Sequence, residues 1–61
     1  MTIEMFSVSA VGIPAKRIEG TESEAIELAQ QLANEHRQRI NVFVKVKHYF
    51  HKIHTIKPEK L

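Results

Sequence analysis

A helical repeat of apolar residues, from Thr21 to about Gln38, limits the architecture of this chain more than any other pattern in it. Apolar side chains recur there at intervals of three and four residues, so they fall along one stripe of an α-helix. The stripe consists of Ala25, Ile26, Leu28, Ala29, Leu32 and Ala33, with His36 at its margin. The pattern predicts an amphipathic helix, and such a helix needs a second layer to cover its apolar stripe.

The start of this helix is marked by a capping box. Thr21 can accept the backbone N–H of Glu24, and the Glu24 carboxylate can accept the N–H of Thr21, while Gly20 ends the preceding segment. Glutamates occupy the first turns, and Arg37 and Arg39 stand near the end, so the charges match the helix dipole. We therefore predict a helix over 22–38.

The residues before the helix favour two strands. Residues 3–10 are rich in β-formers, which predicts a first strand. The segment 11–14 predicts a connection, because Gly12 can take a positive φ and the proline after it stiffens the exit. A short returning strand, centred on Ile18, is predicted over 15–19.

The residues after the helix alternate in the manner of a strand. From Ile40 onward valines occupy every second position, a period of two that indicates one buried face. The alternating residues are Val42, Phe43, Val44, Lys45, Val46 and Lys47. We predict a strand over 41–48, with its valines facing the helix and its lysines facing solvent.

The stretch over 49–57 allows three arrangements. In a regular strand Phe50 and Ile56 would share one face and Ile53 would lie on the other. No Gly, Asn or Asp marks a tight turn before this stretch. It is therefore a second strand over 50–57 after an irregular turn, a bulged continuation of the first strand, or an arm that pairs with another subunit.

Together these elements predict one α+β domain spanning 1–61. It is a small, mostly antiparallel sheet in the order β-β-α-β-β, with one amphipathic helix packed on one face. The opposite face has no second helix to cover it, and we expect function to reside there. The element order, with Glu24-Ala25-Ile26-Glu27-Leu28-Ala29 inside the helix, resembles many short bacterial and phage open reading frames. The resemblance carries no family motif, so it implies no site residue, and a phage or prophage origin is a hypothesis.

The length of the chain and the residue types that it lacks indicate its context. A chain of 61 residues buries only about 60% of the surface of its unfolded state, so we expect a homodimer that gains buried area. The absence of cysteine excludes disulfides and thiolate metal sites and is typical of a reducing compartment. Residues 1–10 lack the pattern of a signal peptide, and no apolar run approaches the roughly 20 residues that span a bilayer. We expect a cytoplasmic protein that has no membrane partner.

Positive charge is concentrated in the last third of the chain. Residues 1–39 hold six glutamates and four basic residues, a net of −2, whereas residues 40–61 hold five lysines and one glutamate, a net of +4. Our leading hypothesis is a small non-catalytic binding module that acts through protein contacts. It would self-associate or dock on a partner or host protein through the uncovered sheet face and the strand region 45–57.

The alternative hypothesis is a weak nucleic-acid-binding protein. Lysines neutralise phosphates, and aromatic rings on an exposed face, Phe43 among them, stack on bases. The sequence favours a different interpretation, in which the lysines protect a strand edge and the aromatic residues fill the core, because a denser basic patch is typical of a nucleic-acid binder. The residues that would contact DNA or RNA are Lys45, Lys47, Lys52, Lys57, Tyr49 and Phe50.

The histidines and the remaining residue types predict neither a metal site nor an enzyme. On a regular strand His48 and His54 would share a face about 20 Å apart while His51 points away, so the three would not meet at one ion. The chain has no Cys, Asp or Trp, its two glycines form no phosphate-cradling loop, and its serines have no legible His–acid arrangement. We expect no cofactor and no catalytic residue. A third hypothesis, a small-ligand site between sheet and helix, requires an apolar pocket there.

Overall fold

The computed structural model describes residues 3–59 and arranges them as one sheet and one helix. The elements are β1 (Glu4–Ala10), β2 (Ile13–Gly20), α1 (Glu22–His36), β3 (Ile40–Val46) and β4 (Tyr49–Ile56). Neighbouring strands are antiparallel and lie in the order β2-β1-β3-β4, so β1 and β3 are central and β2 and β4 are edge strands. The predicted α+β class and the β-β-α-β-β order are confirmed.

A tight turn of two residues joins β1 to β2. Val11 and Gly12 form it, and Gly12 has a φ of 81°, in the region that favours glycine. The predicted connection extends to Pro14, whereas Pro14 already belongs to β2, which is therefore longer than the predicted 15–19. Proline is tolerated because β2 is an edge strand and its register with β1 shifts at this point.

The capping box forms as the sequence predicts. The Thr21 N–H donates to Glu24 Oε1 at 3.0 Å, and the Glu24 N–H donates to Thr21 Oγ1 at 3.3 Å. The Glu24 carboxylate folds back over Gly20, where an added Cβ would lie 2.7 Å from Oε1. Glycine before the cap thus leaves room for the returning carboxylate.

The helix ends earlier than its periodicity predicts. Arg37 takes the left-handed conformation, with a φ of 54°, and its N–H donates to the carbonyl of Ala33. The Gln38 N–H donates to the same carbonyl at 3.2 Å, so the last turn closes and the helix stops at His36 rather than at 38. The resulting helix of 15 residues lacks the length and hydropathy to cross a membrane.

The core lies between α1 and the two central strands. Its buried side chains are Phe6, Val8, Ile40 and Val42 from the sheet and Ala25, Ala29, Leu32 and Ala33 from the helix. The three alanines are fully buried, and their small side chains let the helix approach the sheet closely. As predicted, the valines of β3 face the helix, although Val46 at the end of the strand is 37% exposed.

The stretch after β3 is a hairpin. Lys47 and His48 form a two-residue turn between the paired residues Val46 and Tyr49. Lys47 has a φ of 58°, a conformation for which such turns normally use glycine or asparagine. The first of the three predicted arrangements is therefore correct, except that the turn is tight rather than irregular.

One additional residue in β4 changes the faces of its histidines. Val42 pairs with His54 and Val44 pairs with His51, so four residues of β4 oppose three of β3, and Ile53 is the additional residue of a β-bulge. His51 and His54 consequently lie on the same face, the one that carries the helix. The prediction that His51 points away is wrong, because it assumed a regular strand.

The same bulge reverses the predicted placement of the apolar residues of β4. Phe50 pairs with Lys45 on the face away from the helix, whereas Ile56 pairs with the buried Ile40 on the helix side. Ile53 also packs against the core. Phe50 and Ile56 therefore lie on opposite faces, contrary to the prediction.

Polar contacts hold the chain beyond β4 against the helix. Gln30 Nε2 donates to the carbonyl of Lys57 at 2.9 Å, and Asn34 Oδ1 accepts the Glu59 N–H at 2.8 Å. His54 Nε2 lies 2.9 Å from an oxygen of Glu22 in the first turn of α1. These contacts fix β4 and the residues after it to the helix layer.

Candidate nucleic-acid interface

The face of the sheet turned away from α1, which we call the open face, has no helix over it within residues 3–59. Side chains alternate along each strand, so the residues between the core positions point to this face. By register they are Met5, Ser7 and Ser9 of β1, Arg17 and Glu19 of β2, Asn41, Phe43 and Lys45 of β3, and Phe50, Lys52 and Thr55 of β4. This face is the surface on which the sequence analysis expected function to reside.

Two phenyl rings and two lysines alternate on the β3–β4 half of the open face. Phe43 pairs with Lys52, and Phe50 pairs with Lys45, so each phenylalanine stands directly opposite a lysine. The rings are half-buried and the lysines are exposed. We call these four residues the Phe/Lys block.

Arg17 reaches the block from the far edge of the sheet. Its guanidinium Cζ lies 5.6 Å from the centroid of the Phe50 ring, a cation–π contact. Because β1 and β3 separate β2 from β4, the Arg17 side chain has to cross the open face to make this contact. Ser7, which pairs with both Arg17 and Phe43, is only 7% exposed on a face that carries no helix. A small serine in the central strand leaves space for the arginine to pass.

A cleft of about 450 Å³ continues the open face toward the loop after α1. Its lining contains two cations, Arg39 and Lys52, and no carboxylate. The complete lining is Ala10, Val11, Gln38, Arg39, Asn41, Lys52 and Thr55. Lys52 belongs to both the cleft and the Phe/Lys block, so the two features are continuous.

The structure brings together three of the six residues predicted to contact nucleic acid. Lys45, Lys52 and Phe50 lie on the open face within the Phe/Lys block. Phe50 and Lys52 share a face because β4 pairs regularly with β3 from the hairpin turn as far as Lys52. The bulge, at Ile53, comes after them.

The other three predicted residues lie elsewhere. Lys47 is in the β3–β4 turn, and Lys57 follows the end of β4. Tyr49 is on the helix side of the sheet, 55% exposed, with its ring edge-on to His51 at 4.7 Å between centroids. These residues do not join the Phe/Lys block, so the six predicted residues do not form a single surface.

Sequence reasoning missed two cations of this surface. Arg17 precedes Ile18 in a predicted strand, and alternation alone places the two on opposite faces, so this signal was present in the sequence. Arg39 was assigned to the end of the helix, and only the early stop at His36 releases it to line the cleft. Phe43 was considered as a stacking ring but left out of the predicted set.

The two layers of the described chain carry charges of opposite sign. The helix exposes four glutamates, Glu22, Glu24, Glu27 and Glu35. The open face and its cleft carry four cations, Arg17, Arg39, Lys45 and Lys52, with Glu19 as the acidic residue among the face positions given above. The surface potential is therefore positive on the side that the helix leaves uncovered.

The candidate groups for metal or acid–base chemistry are dispersed. Within residues 3–59 no three His, Cys, Asp or Glu side chains are placed to hold a metal ion. Ser7 and Ser9 lie on the open face, whereas His51 and His54 lie on the other. The expectation that the protein is not an enzyme stays a prediction.

Comparison with models of protein families, with curated proteins and with solved structures found no match for this chain.

Proposed function

We propose that the open face binds single-stranded nucleic acid. The observation that carries the proposal is the Phe/Lys block, in which Phe43 and Phe50 each stand opposite a lysine. A phenyl ring can stack on any base, and ammonium groups pair with phosphates. A nucleotide joins its base to its phosphate through one sugar, so a surface that binds it needs rings and cations side by side. The block has this arrangement.

Accessible rings favour an unpaired strand over a duplex. In a duplex the base faces are stacked on one another, whereas an unpaired strand can turn its bases onto aromatic side chains. Stacking of this kind contributes about 1–3 kcal/mol per base and depends little on base identity. We therefore propose binding with little sequence preference.

The position of Arg17 is compatible with stacking at Phe50. Its cation–π contact is solvent-exposed and worth about 0.5–1 kcal/mol. A base that stacks on the ring gains about 1–3 kcal/mol, so it can displace the guanidinium. Arg17 then remains beside the bound strand, where it can pair with a phosphate.

The charge difference between the layers supports binding on one side only. A polyanion is attracted to the four cations of the open face and the cleft and repelled by the glutamates of α1. Nucleic acid would approach the sheet, and α1 would stay on the solvent side of the complex.

Fluorescence anisotropy with a labelled oligonucleotide tests the proposal. A single strand of about 12 nucleotides suits a single small domain, and about 50 mM salt keeps electrostatic contacts strong. We expect the single strand to bind more tightly than a duplex of the same sequence. Phe50→Ala should weaken binding by about 5- to 150-fold, the equivalent of one lost stacking contact.

Two matched pairs of variants make the test specific to the open face. Arg17 and Lys16 are neighbours in β2 on opposite faces, because Lys16 pairs with the buried Val8. Lys45 lies in the Phe/Lys block, whereas Lys47 lies in the turn. We expect Arg17→Ala and Lys45→Ala to weaken binding, and Lys16→Ala and Lys47→Ala to leave it nearly unchanged.

Two results reject the proposal. One is the absence of any anisotropy change at low salt with DNA or RNA, single- or double-stranded. The other is an equal loss in both members of each pair, which would indicate diffuse attraction to a charged chain. Far-UV circular dichroism of each variant establishes that the fold is intact.

Protein contact is a second candidate, favoured by apolar side chains at the tip of the β3–β4 hairpin. Val46 and Tyr49 pair with each other on the helix side and are 37% and 55% exposed. Exposed aromatic residues are enriched at protein interfaces. This patch would serve a homodimer or a partner protein.

Sedimentation at micromolar concentration tests the second candidate. We expect a dimer that Tyr49→Ser dissociates and that Val11→Ser leaves intact, since Val11 is 94% exposed in the other hairpin. A monomer at every concentration, with no partner retained in a pull-down, contradicts it.

A further inference from the structure

We infer that the cleft beside the Phe/Lys block is a phosphate-binding site, filled in the complex by a phosphodiester next to the base that stacks on Phe43. The inference rests on the proposed function for the source of the phosphate. The cleft itself is defined independently, by Arg39, Lys52, Asn41 and Thr55 in its lining.

The charges in the cleft select an anion. Arg39 and Lys52 enter from two different elements, the loop after α1 and strand β4, and none of the lining residues is acidic. Hydrogen bonds from a guanidinium or an ammonium to a phosphate are charge-assisted and stronger than those between neutral groups. A planar guanidinium can donate two parallel hydrogen bonds to one phosphate.

Asn41 brings a side-chain amide to the lining of the cleft. Thr55 Oγ1 donates to Asn41 Oδ1 at 3.2 Å, which fixes the carbonyl end of the amide on its neighbour. The Nδ2 group of Asn41 has no hydrogen bond within residues 3–59, so its two protons are available to an anion. The amide therefore adds neutral donors to the two cations.

The wall of the cleft is held in place from the loop side. Gln38 Nε2 donates to the carbonyl of Val11 at 3.0 Å and so ties the loop after α1 to the β1–β2 turn. Arg39, the next residue, is carried on this tethered loop. The backbone that carries Arg39 is thus held in place before a ligand arrives.

The position of the cleft determines which phosphate it receives. Lys52 lines the cleft and also pairs with Phe43, so a phosphate held there lies next to a base on that ring. Phe50 lies farther from the cleft along β4, beyond Lys52. The cleft would therefore fix the position of the strand relative to the two rings.

Oligonucleotides with one uncharged linkage test the inference. In each member of a series, one phosphodiester of the single strand is replaced by a methylphosphonate. We expect one position at which the replacement weakens binding to the unmodified protein by about tenfold, as for the loss of a charge-assisted hydrogen bond. In Arg39→Gln the same replacement should have no further effect. Arg37→Gln is the matched control, because Arg37 is exposed, near in sequence and absent from the cleft.

A second measurement separates this inference from the proposed function. Inorganic phosphate is titrated into ¹⁵N-labelled protein while the side-chain amide signals of Asn41 are followed. Shifts in the unmodified protein and in Arg37→Gln, but not in Arg39→Gln, support a phosphate site even if no oligonucleotide binds. In that case the site binds a free phosphate group, and the proposed function fails.

Two further outcomes separate failure of the phosphate site from failure of the proposed function. In one outcome the oligonucleotide binds, Arg39→Gln and Arg37→Gln weaken binding alike, and no single methylphosphonate position affects it. That outcome overturns the phosphate site but is compatible with the proposed function. The absence of both oligonucleotide binding and amide shifts overturns both.

Discussion

Lys47 and Gly12 lie in the two tight hairpin turns of the sheet, but only one of them is a residue type that suits its backbone conformation. Each belongs to a two-residue turn and has a positive φ, 58° for Lys47 and 81° for Gly12. A residue with a Cβ pays about 1–2 kcal/mol in the left-handed region, whereas glycine does not. The β3–β4 turn therefore stores strain that the β1–β2 turn lacks.

Lys47→Gly should stabilise the protein. Relief of the strain outweighs the larger entropy of glycine in the unfolded chain, and we expect a net gain of about 0.5–1 kcal/mol. In a domain of this size 1 kcal/mol shifts Tm by about 4–8 °C, which thermal unfolding followed by circular dichroism can measure.

The opposite substitution at Gly12 is the control for this prediction. An added Cβ at Gly12 meets no atom within 4 Å, so Gly12→Ala tests backbone strain alone. We expect a loss of about 1 kcal/mol. If Lys47→Gly lowers the stability as well, the positive φ of Lys47 is not a source of strain.

Among the elements, the helix and the sheet meet through side chains of minimal size. Ala25, Ala29 and Ala33 are fully buried against the central strands. Interiors are packed as densely as organic crystals, so a larger side chain in this stripe cannot be accommodated without moving the helix.

Ala29→Leu should destabilise the protein by about 1–3 kcal/mol, the usual cost of overpacking. That is a large share of the roughly 3–9 kcal/mol expected for a domain of this length. Urea unfolding measures the change, and Gln31→Leu, at an exposed helix position, should shift stability by less than about 0.5 kcal/mol. Equal effects of the two substitutions would indicate that helix and sheet are not closely packed at Ala29.

The elements differ in how much of them the sequence predicts. The helix was predictable because Thr21 and Glu24 form a local signal that needs no tertiary contact. The β3–β4 turn was not predictable, because lysine is not a residue type that indicates a positive φ. The pairing of the flanking strands holds Lys47 in that conformation. Nor was the bulge at Ile53 predictable, since it is recognised only from the register with β3. The candidate site was predicted only in part because the tight turn takes up Lys47 and places Tyr49 on the helix side of the sheet.

As a whole, the molecule presents two layers of opposite charge. Arg17, Lys45 and Lys52 on the open face, with Arg39 at the cleft, would supply up to four contacts to phosphates in the proposed complex. Each contact with a single strand releases condensed counterions and contributes about −0.7 to the slope of log affinity against log salt.

Binding of a single strand should therefore depend on salt with a slope of about −2.8, a loss of roughly 50-fold between 50 and 200 mM. Arg39→Gln should reduce the slope by about 0.7. Glu27→Gln, on the helix layer, should leave it unchanged because Glu27 pairs with no phosphate in the proposed complex. Anisotropy titrations at several salt concentrations measure the slope, and a value near zero contradicts a phosphate contact.

The two edge strands, β2 and β4, each contain an irregularity that affects whether copies of this chain can associate by strand pairing. Pro14 removes one backbone donor from β2, and the bulge at Ile53 breaks the even spacing of donors and acceptors along β4. A neighbouring strand that tried to extend the sheet sideways would find no long straight row to pair with, so stacking into fibrils is disfavoured. In the proposed complex the bound strand therefore meets the broad surface of the sheet rather than its rims.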